Sequence, residues 1–301
     1  MTKKTRNWLI VLLSIPGAVI FAVIGLLIFQ QLQPLPPIQP LPNPNGYGDF
    51  IKAGEMASTN SWDYEAMNEA QLREAVAVNI EALSFARVGL TNKCHVTTQF
   101  SLTYLNNHLN ELADLKRLAR AFAAEGRLAE MENHPTEAAK SYLDAIHMGN
   151  ESARGGVLID QLVGTAIKAI GTSHLQKLVD QLDAKSCRET AATLEALDSQ
   201  GQTWNEIMQQ ENTWSRRTFT SLRYRIFRPL LVKMTKKVLQ QAEQRFNKQV
   251  AQTRQLLIDL AARAYELDKG HRPANLNDLV PDYLKAIPQD PLTGTNMVHL
   301  P

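Results

Sequence analysis

"AFAAEGRLAEMENHPTEAAKSYLDAIHMG", residues 121–149, carries two apolar stripes of helical period with one break between them. Before the break, Leu112, Leu115, Leu118, Ala119 and Phe122 recur every three or four residues; after it come Tyr142, Ala145 and Ile146. His134-Pro135 supplies the break, because proline has no N–H to donate and clashes with the preceding turn. Thr136 is the expected cap of the returning helix. Small residues stand where the two helices would touch, so the stretch predicts a hairpin of close-packed helices.

Outward from the hairpin the same composition continues. Between Asp49 and about residue 270, glycine and proline are sparse while Ala, Leu, Glu, Gln, Lys and Arg dominate, which predicts an all-α domain. A helix over 68–90 places Leu72, Ala75, Val76, Asn79, Ile80 and Leu83 on one face. The hairpin resembles a tetratricopeptide-type unit. Repeat arrays need about three units to bury a continuous core, and one is recognisable here, so a hairpin within a larger bundle is expected. Gly155, Gly156, Gly164 and Gly171 mark turns or close helix contacts. No strand precedes them and no GxGxxG spacing occurs, which argues against a phosphate loop. Asp160, within "VLIDQLV", reads equally as a buried paired carboxylate or an exposed helix position.

Residues 1–7 are short and basic, and Trp8–Phe29, "WLIVLLSIPGAVIFAVIGLLIF", is an uncharged stretch long enough to span a hydrocarbon core of about 30 Å. The expectation is a transmembrane helix over 8–29 that is not cleaved, since signal-peptide apolar regions run about 7–15 residues. Lys3, Lys4 and Arg6 place its N-terminal flank inside. The chain is thus expected in a membrane with its main domain extracytoplasmic, touching the lipid bilayer through Trp8–Phe29. Residues 30–48 hold Pro34, Pro36, Pro37, Pro40, Pro42 and Pro44, a polyproline-rich linker that reads as a semi-rigid spacer. Past the anchor stand 29 basic against 30 acidic residues. That near-neutral balance gives no case for nucleic acid as partner.

Chemistry-bearing patterns are missing. The histidines at 95, 108, 134, 147, 174, 271 and 299 are scattered without metal-ligand spacing, and no nucleophile elbow or Walker loop occurs. Carboxylate pairs such as Glu130 and Glu132 are common on solvated helices, so catalytic, cofactor and metal residues are all expected to be none. Cys94 and Cys187 fit no metal pattern; the preferred reading is two separate, partly buried thiols, with a disulfide between them in an oxidising compartment as the alternative. One stretch stands out, residues 212–242, with Arg216, Arg217, Arg223, Arg225, Arg228, Lys233, Lys236 and Lys237 and no acidic residue. Trp214, Phe219, Tyr224, Phe227, Leu230 and Leu231 are interleaved. Two readings stay open: a basic amphipathic face for anionic lipid, or a helix pair broken at Pro229 whose aromatics enter the core while its basics contact acidic helices elsewhere. The second is preferred.

Residues 249–301 form a separate segment. Leu257, Leu260, Ala261, Ala264 and Leu267 make a helical stripe ending at Gly270, placed for a left-handed cap. Leu276, Leu279, Val280, Tyr283, Leu284 and Ile287 follow, divided by Pro281 into two short turns, and "NMVHL" suits one strand. The order Ala261, Tyr265, Gly270, Pro273, Leu276, Leu279, Val280, Pro281, Tyr283, Leu284, Ile287, Pro288, Asp290, Pro291 and Gly294 resembles the segment after the stem helix of type II secretion major pseudopilins. It is also similar to uncharacterised membrane-anchored helical proteins of planctomycete-type bacteria, a resemblance that implies the bacterial inner membrane as the location. Residues 1–30 lack the pseudopilin glutamate, a helical domain separates stem and motif, and the sequence stops before the family's β-sheet and calcium loop. No calcium site or filament role is therefore implied; the tail reads as a packing module.

These readings predict a helical bundle over 49–248 closed by the 249–301 module. The functional expectation is a non-enzymatic scaffold or adaptor contacting other envelope proteins. The alternatives are an accessory of a secretion or pilus-like assembly, and a hydrolase hidden on a helical scaffold, which would need Asp160, a histidine and an arginine gathered in one pocket. Fold-level likeness supports no particular activity.

Overall fold

The computed structural model describes Gly25 and residues 34–58 and 63–298; the expected transmembrane helix at Trp8–Phe29 lies otherwise outside them. Among the described residues no helix is long and apolar enough to cross a membrane. Eight α-helices make up the domain: α1 (Gly46–Met56), α2 (Glu69–Leu90), α3 (Leu102–Met131), α4 (Pro135–Glu151), α5 (Leu158–Leu178), α6 (Ala184–Ser199), α7 (Trp204–Thr218) and α8 (Leu222–Lys269). Short 3₁₀ turns at Val179–Gln181 and Leu276–Leu279 complete it. The expected strand in "NMVHL" is absent from the described residues, which show only an isolated bridge between Gln289 and Asn296.

The hairpin is α3 and α4. Asn133, at φ 59°, turns the chain, and Pro135 takes the first helical position, where its missing N–H costs nothing. His134 occupies the cap without a side-chain bond, and Thr136, expected there, instead bonds Ser186 of α6 at 2.9 Å. The Tyr142 ring sits on Gly126, where a Cβ would come within 2.4 Å of it. α4 is buried on nearly all sides. One side, with Tyr142 and Ile146, joins Leu175, Leu194, Leu256 and Leu260; the other, with Ala145 and Met148, joins Phe50, Leu83, Leu115 and Phe122. Two hydrophobic clusters thus meet across one helix. α5 lies against α4 through bare backbone: a Cβ on Gly164 would stand 2.5 Å from the Gly149 carbonyl oxygen, and one on Gly171 2.5 Å from that of Tyr142.

Caps follow sequence closely elsewhere. Asn68 and Gln71 close a capping box on α2, and Thr203 and Glu206 do so on α7. Most of the expected α2 stripe is buried, but Ile80 is 67% exposed, because the helix face turned inward is narrower than the apolar pattern. Arg87 stitches α2 to the hairpin through Asp144 (2.7 Å) and Glu125.

Three expectations about the ends are revised. The first helix begins at Gly46, inside the expected 30–48 linker, and Pro36 accepts from Arg217 of α7, so that residues 36–39 and 41, though exposed, line a groove with α7 rather than standing off as a spacer. The boundary expected at 248/249 falls within α8, which runs unbroken through Pro229. Gly270 does take the left-handed conformation (φ 74°), and beyond it Leu276, Leu279 and Leu284 are buried in the cluster of α6 and α8. Arg254 donates to the Gln289 carbonyl and Glu195 accepts from the Lys285 N–H, so the tail closes this end of the bundle.

Candidate functional site

The basic segment divides at the junction of α7 and α8. At the α7 end the aromatics enter the protein: Trp214 is buried and donates to the Gln99 carbonyl (2.9 Å), Phe219 meets it edge-on, and Tyr224 stacks on Phe219. Arg216 is half-buried; Arg217 donates to the Pro36 carbonyl and lies 5.2 Å from the Phe100 ring centroid. Further along α8, Lys236 and Lys237 are exposed, as are Met234 (71%) and Val238 (63%). The side chains of Arg223, Arg225, Arg228 and Lys233 lie outside the described residues. Among the described side chains from Met234 onward, Ala242 is the first that is buried. Arg217, Lys236 and Lys237 form no salt bridge among the described residues, so the picture of basics paired with acidic helices does not apply to them.

Asp160 finds a histidine. It stands in the first turn of α5, fully buried; one oxygen accepts the Val157 N–H (2.8 Å) and the other faces His108 Nε2 of α3 at 2.5 Å. His108 Nδ1 faces Glu111 at 2.7 Å, and that carboxylate reaches solvent, 39% exposed. A neutral imidazole has one donor and one acceptor, so two carboxylates are satisfied together only by the imidazolium. Burial by itself would lower the His108 pKa; hydrogen bonds and charge from Asp160, then Glu111, outweigh it and raise the value. The Tyr104 ring stacks on His108 at 4.7 Å. The Tyr104 and Tyr47 hydroxyls are buried without a partner of normal geometry, although Tyr47 lies close enough to Glu111 to feel its charge. Burial first, then the Asp160 and Glu111 charges, push both phenols up.

Around the same helix start, Glu211 of α7 accepts the Leu158 N–H at 2.9 Å. Two carboxylates thus satisfy N–H groups that an α-helix leaves open at its N-terminus. The cluster pins α3 and α7 to α5. Chemically it can hold or pass a proton between Glu111 and Asp160, but neither His108 nor Asp160 lines any of the cavities of about 310–390 Å³ on the surface. The gathering needed for a hydrolase site is half met, without arginine or cavity. Among the described residues no group of His, Cys, Asp and Glu is placed to hold a metal ion.

A second buried histidine has the opposite setting. His174 of α5 faces the Tyr64 hydroxyl at 2.9 Å and stacks on Tyr142 at 5.0 Å, while Tyr142 donates to Glu130. Burial, then Lys177, lower the His174 pKa against the pull of Glu130 and Glu65. The ring stays neutral at pH 7 and shares a hydrogen bond with the Tyr64 hydroxyl, and burial pushes Tyr64 itself up to about 12.

Sequence reasoning left both histidines scattered, since their partners lie 52 and 110 residues away. It also passed over Lys168. Gly164, Lys168 and Gly171 share one helical face by their spacing, but that this face meets α4 is visible only in the fold. Cys94 and Cys187 are free and buried in separate clusters. Comparison of the chain with protein-family models, curated proteins and solved structures finds no match.

Proposed function

We propose that the chain is a membrane-anchored scaffold or adaptor of the bacterial cell envelope, with an extracytoplasmic helical domain held against the bilayer by the α7–α8 junction. The observation that carries this reading is the return of the linker: Pro36 is held by Arg217 at the foot of α8. Six residues separate Phe29 from Pro36, and at about 3.1 Å each they reach roughly 20 Å. If Trp8–Phe29 spans the membrane, the base of α8 lies near its surface. There α8 offers exposed Lys236 and Lys237 beside exposed Met234 and Val238. A basic amphipathic helix suits an anionic interface, worth about 1 kcal/mol per lysine or arginine near the surface. Arg223, Arg225, Arg228, Lys233, Lys236 and Lys237 are the contacts this reading assigns.

The tail supports the scaffold reading over the secretion-assembly one. Its apolar residues are spent within the chain, Leu276, Leu279 and Leu284 being buried against α6 and α8. In-cell cross-linking of the full-length, C-terminally tagged protein tests the role. Recovery of envelope proteins linked to the bundle is expected; recovery of pilus or secretion subunits linked through residues 271–298, or of self-links alone, would overturn it. In nanodiscs, amine labelling of Lys236 and Lys237 should slow with anionic lipid. Equal labelling in zwitterionic discs would remove the bilayer contact.

A further inference from the structure

Lys168 projects from α5 into a cavity of about 380 Å³ enclosed by α4, α5, α6, the start of α7 and α8. That volume falls within the roughly 300–1,000 Å³ of small-molecule sites. The lysine stem crosses α4 over Gly149, where a Cβ would stand 2.7 Å from its Cγ. Its ammonium lies 5.7 Å from the Phe246 ring centroid, and Trp204 meets Phe246 at 5.8 Å, so the two rings form an apolar wall beside the charge. Nζ makes no hydrogen bond and no salt bridge among the described residues. The nearest carboxylate is already engaged: Asp198 accepts from Arg254 Nε at 2.9 Å, and Arg254 also donates to the Gln289 carbonyl.

We propose that this cavity is a binding site for a small organic monocarboxylate with a planar apolar body. An ammonium carries three donors, and Nζ of the half-buried Lys168 turns them toward the cavity with no protein acceptor among the described residues. A ligand carboxylate supplies one, and its body covers Trp204 and Phe246. With Arg254 held by Asp198, Lys168 is the lining cation outside any salt bridge among the described residues, so a ligand meets one free positive charge. Lys168 and Arg254 face Asp198 and Glu243 across the cavity, and Arg154, beside its inner end, is paired with Glu151. A doubly charged phosphate would meet Glu243 without a second free cation. Burial, against the opposing charge of Asp198, pushes Lys168 down to about 8, so the charged form needed for binding persists at neutral pH and is lost above it.

The test uses the full-length protein in nanodiscs with benzoate as probe, and benzyl alcohol and phenyl phosphate as comparators, read by titration calorimetry. Benzoate should bind at least tenfold tighter than benzyl alcohol and tighter than phenyl phosphate. Lys168→Met should erase the preference for the carboxylate and Lys168→Arg should retain most of it. Affinity should fall roughly tenfold per pH unit above about 8, as the protonated fraction of Lys168 falls. Benzoate should also slow acylation of Lys168 in the wild-type protein, a readout that needs no variant. Equal binding of benzoate to wild type and Lys168→Met, tighter binding of phenyl phosphate, or no slowing of acylation at saturating benzoate would overturn the proposal.

Discussion

His108 and His174 are both almost fully buried, yet the protein treats them as different chemical species. His108 sits between two carboxylates and is held as a cation; His174 sits between two tyrosines and is held neutral. Burial penalises charge in both. What differs is whether the fold supplies counter-charge within hydrogen-bond reach. The consequence for stability has opposite signs. The raised pKa of His108 adds stability that is complete below about 6.5 and fades as the pH rises through the raised value. The lowered pKa of His174 gives stability present above about 6.5 and lost as the pH falls through the lowered value. Tyr142, stacked on His174, lies in the cluster of Leu175 and Leu256, whereas Tyr104, stacked on His108, packs with Val157 and Trp214, so the two regions should respond oppositely to acid.

The strongest way to break the contrast is His108→Leu. It leaves Asp160 buried with only the Val157 N–H, and breaking a buried pair from one side costs about 3–5 kcal/mol. Urea unfolding should show that loss at pH 5.5 and a smaller one as the pH rises past the raised His108 value. His174→Phe should cost less, about 1–3 kcal/mol, for the unpartnered Tyr64 hydroxyl. Its deficit should be largest at pH 8 and shrink on acidification, because the wild type alone must then charge or lose a buried ring. Parallel pH dependence of the two variants would refute the assignment.

Gly171→Ala tests the same division sterically. The new methyl would press on the Tyr142 carbonyl, and overpacking of this kind costs about 1–3 kcal/mol. Tyr142 carries the His174 ring, so an NMR titration should shift His174 and leave His108 unchanged. The smallest effect is read from the two thiols, which report on separate clusters. Burial pushes Cys94 up to about 12 and Cys187 to about 11, so both should be inert to a thiol-disulfide reagent in the native protein. As the pH falls below about 6.5, the equilibrium opening that exposes Cys187, in the cluster of Tyr142, should grow relative to the one that exposes Cys94.

The hairpin, the α2 and α3 stripes and the Gly270 cap were legible because each is set by neighbours within a turn or two. Leu112, Leu115, Leu118, Ala119 and Phe122 are all buried as their period demands. Pro229 misled, because proline weakens a helix locally while the ladder on either side can carry it through. The pairing of His108 with Asp160 was illegible for another reason: a lone polar residue in an apolar run says that it needs a partner but not which one. For Asp160 the reading stopped at that ambiguity. Lys168 was readable only with the helix pairing known, since the glycines beside it acquire meaning from the backbone of α4.

The two-sided burial of α4 bears on how the chain is made. One side is covered by helices already synthesised when α4 emerges, but Tyr142 and Ile146 must wait for Leu256 and Leu260, roughly a hundred residues later. At ~5–20 residues per second that is about 5–20 s with an aromatic and aliphatic face open to solvent. A nascent chain cut short before α8 therefore ends as a half-built bundle with a greasy seam, a ready client for holdase chaperones and proteases.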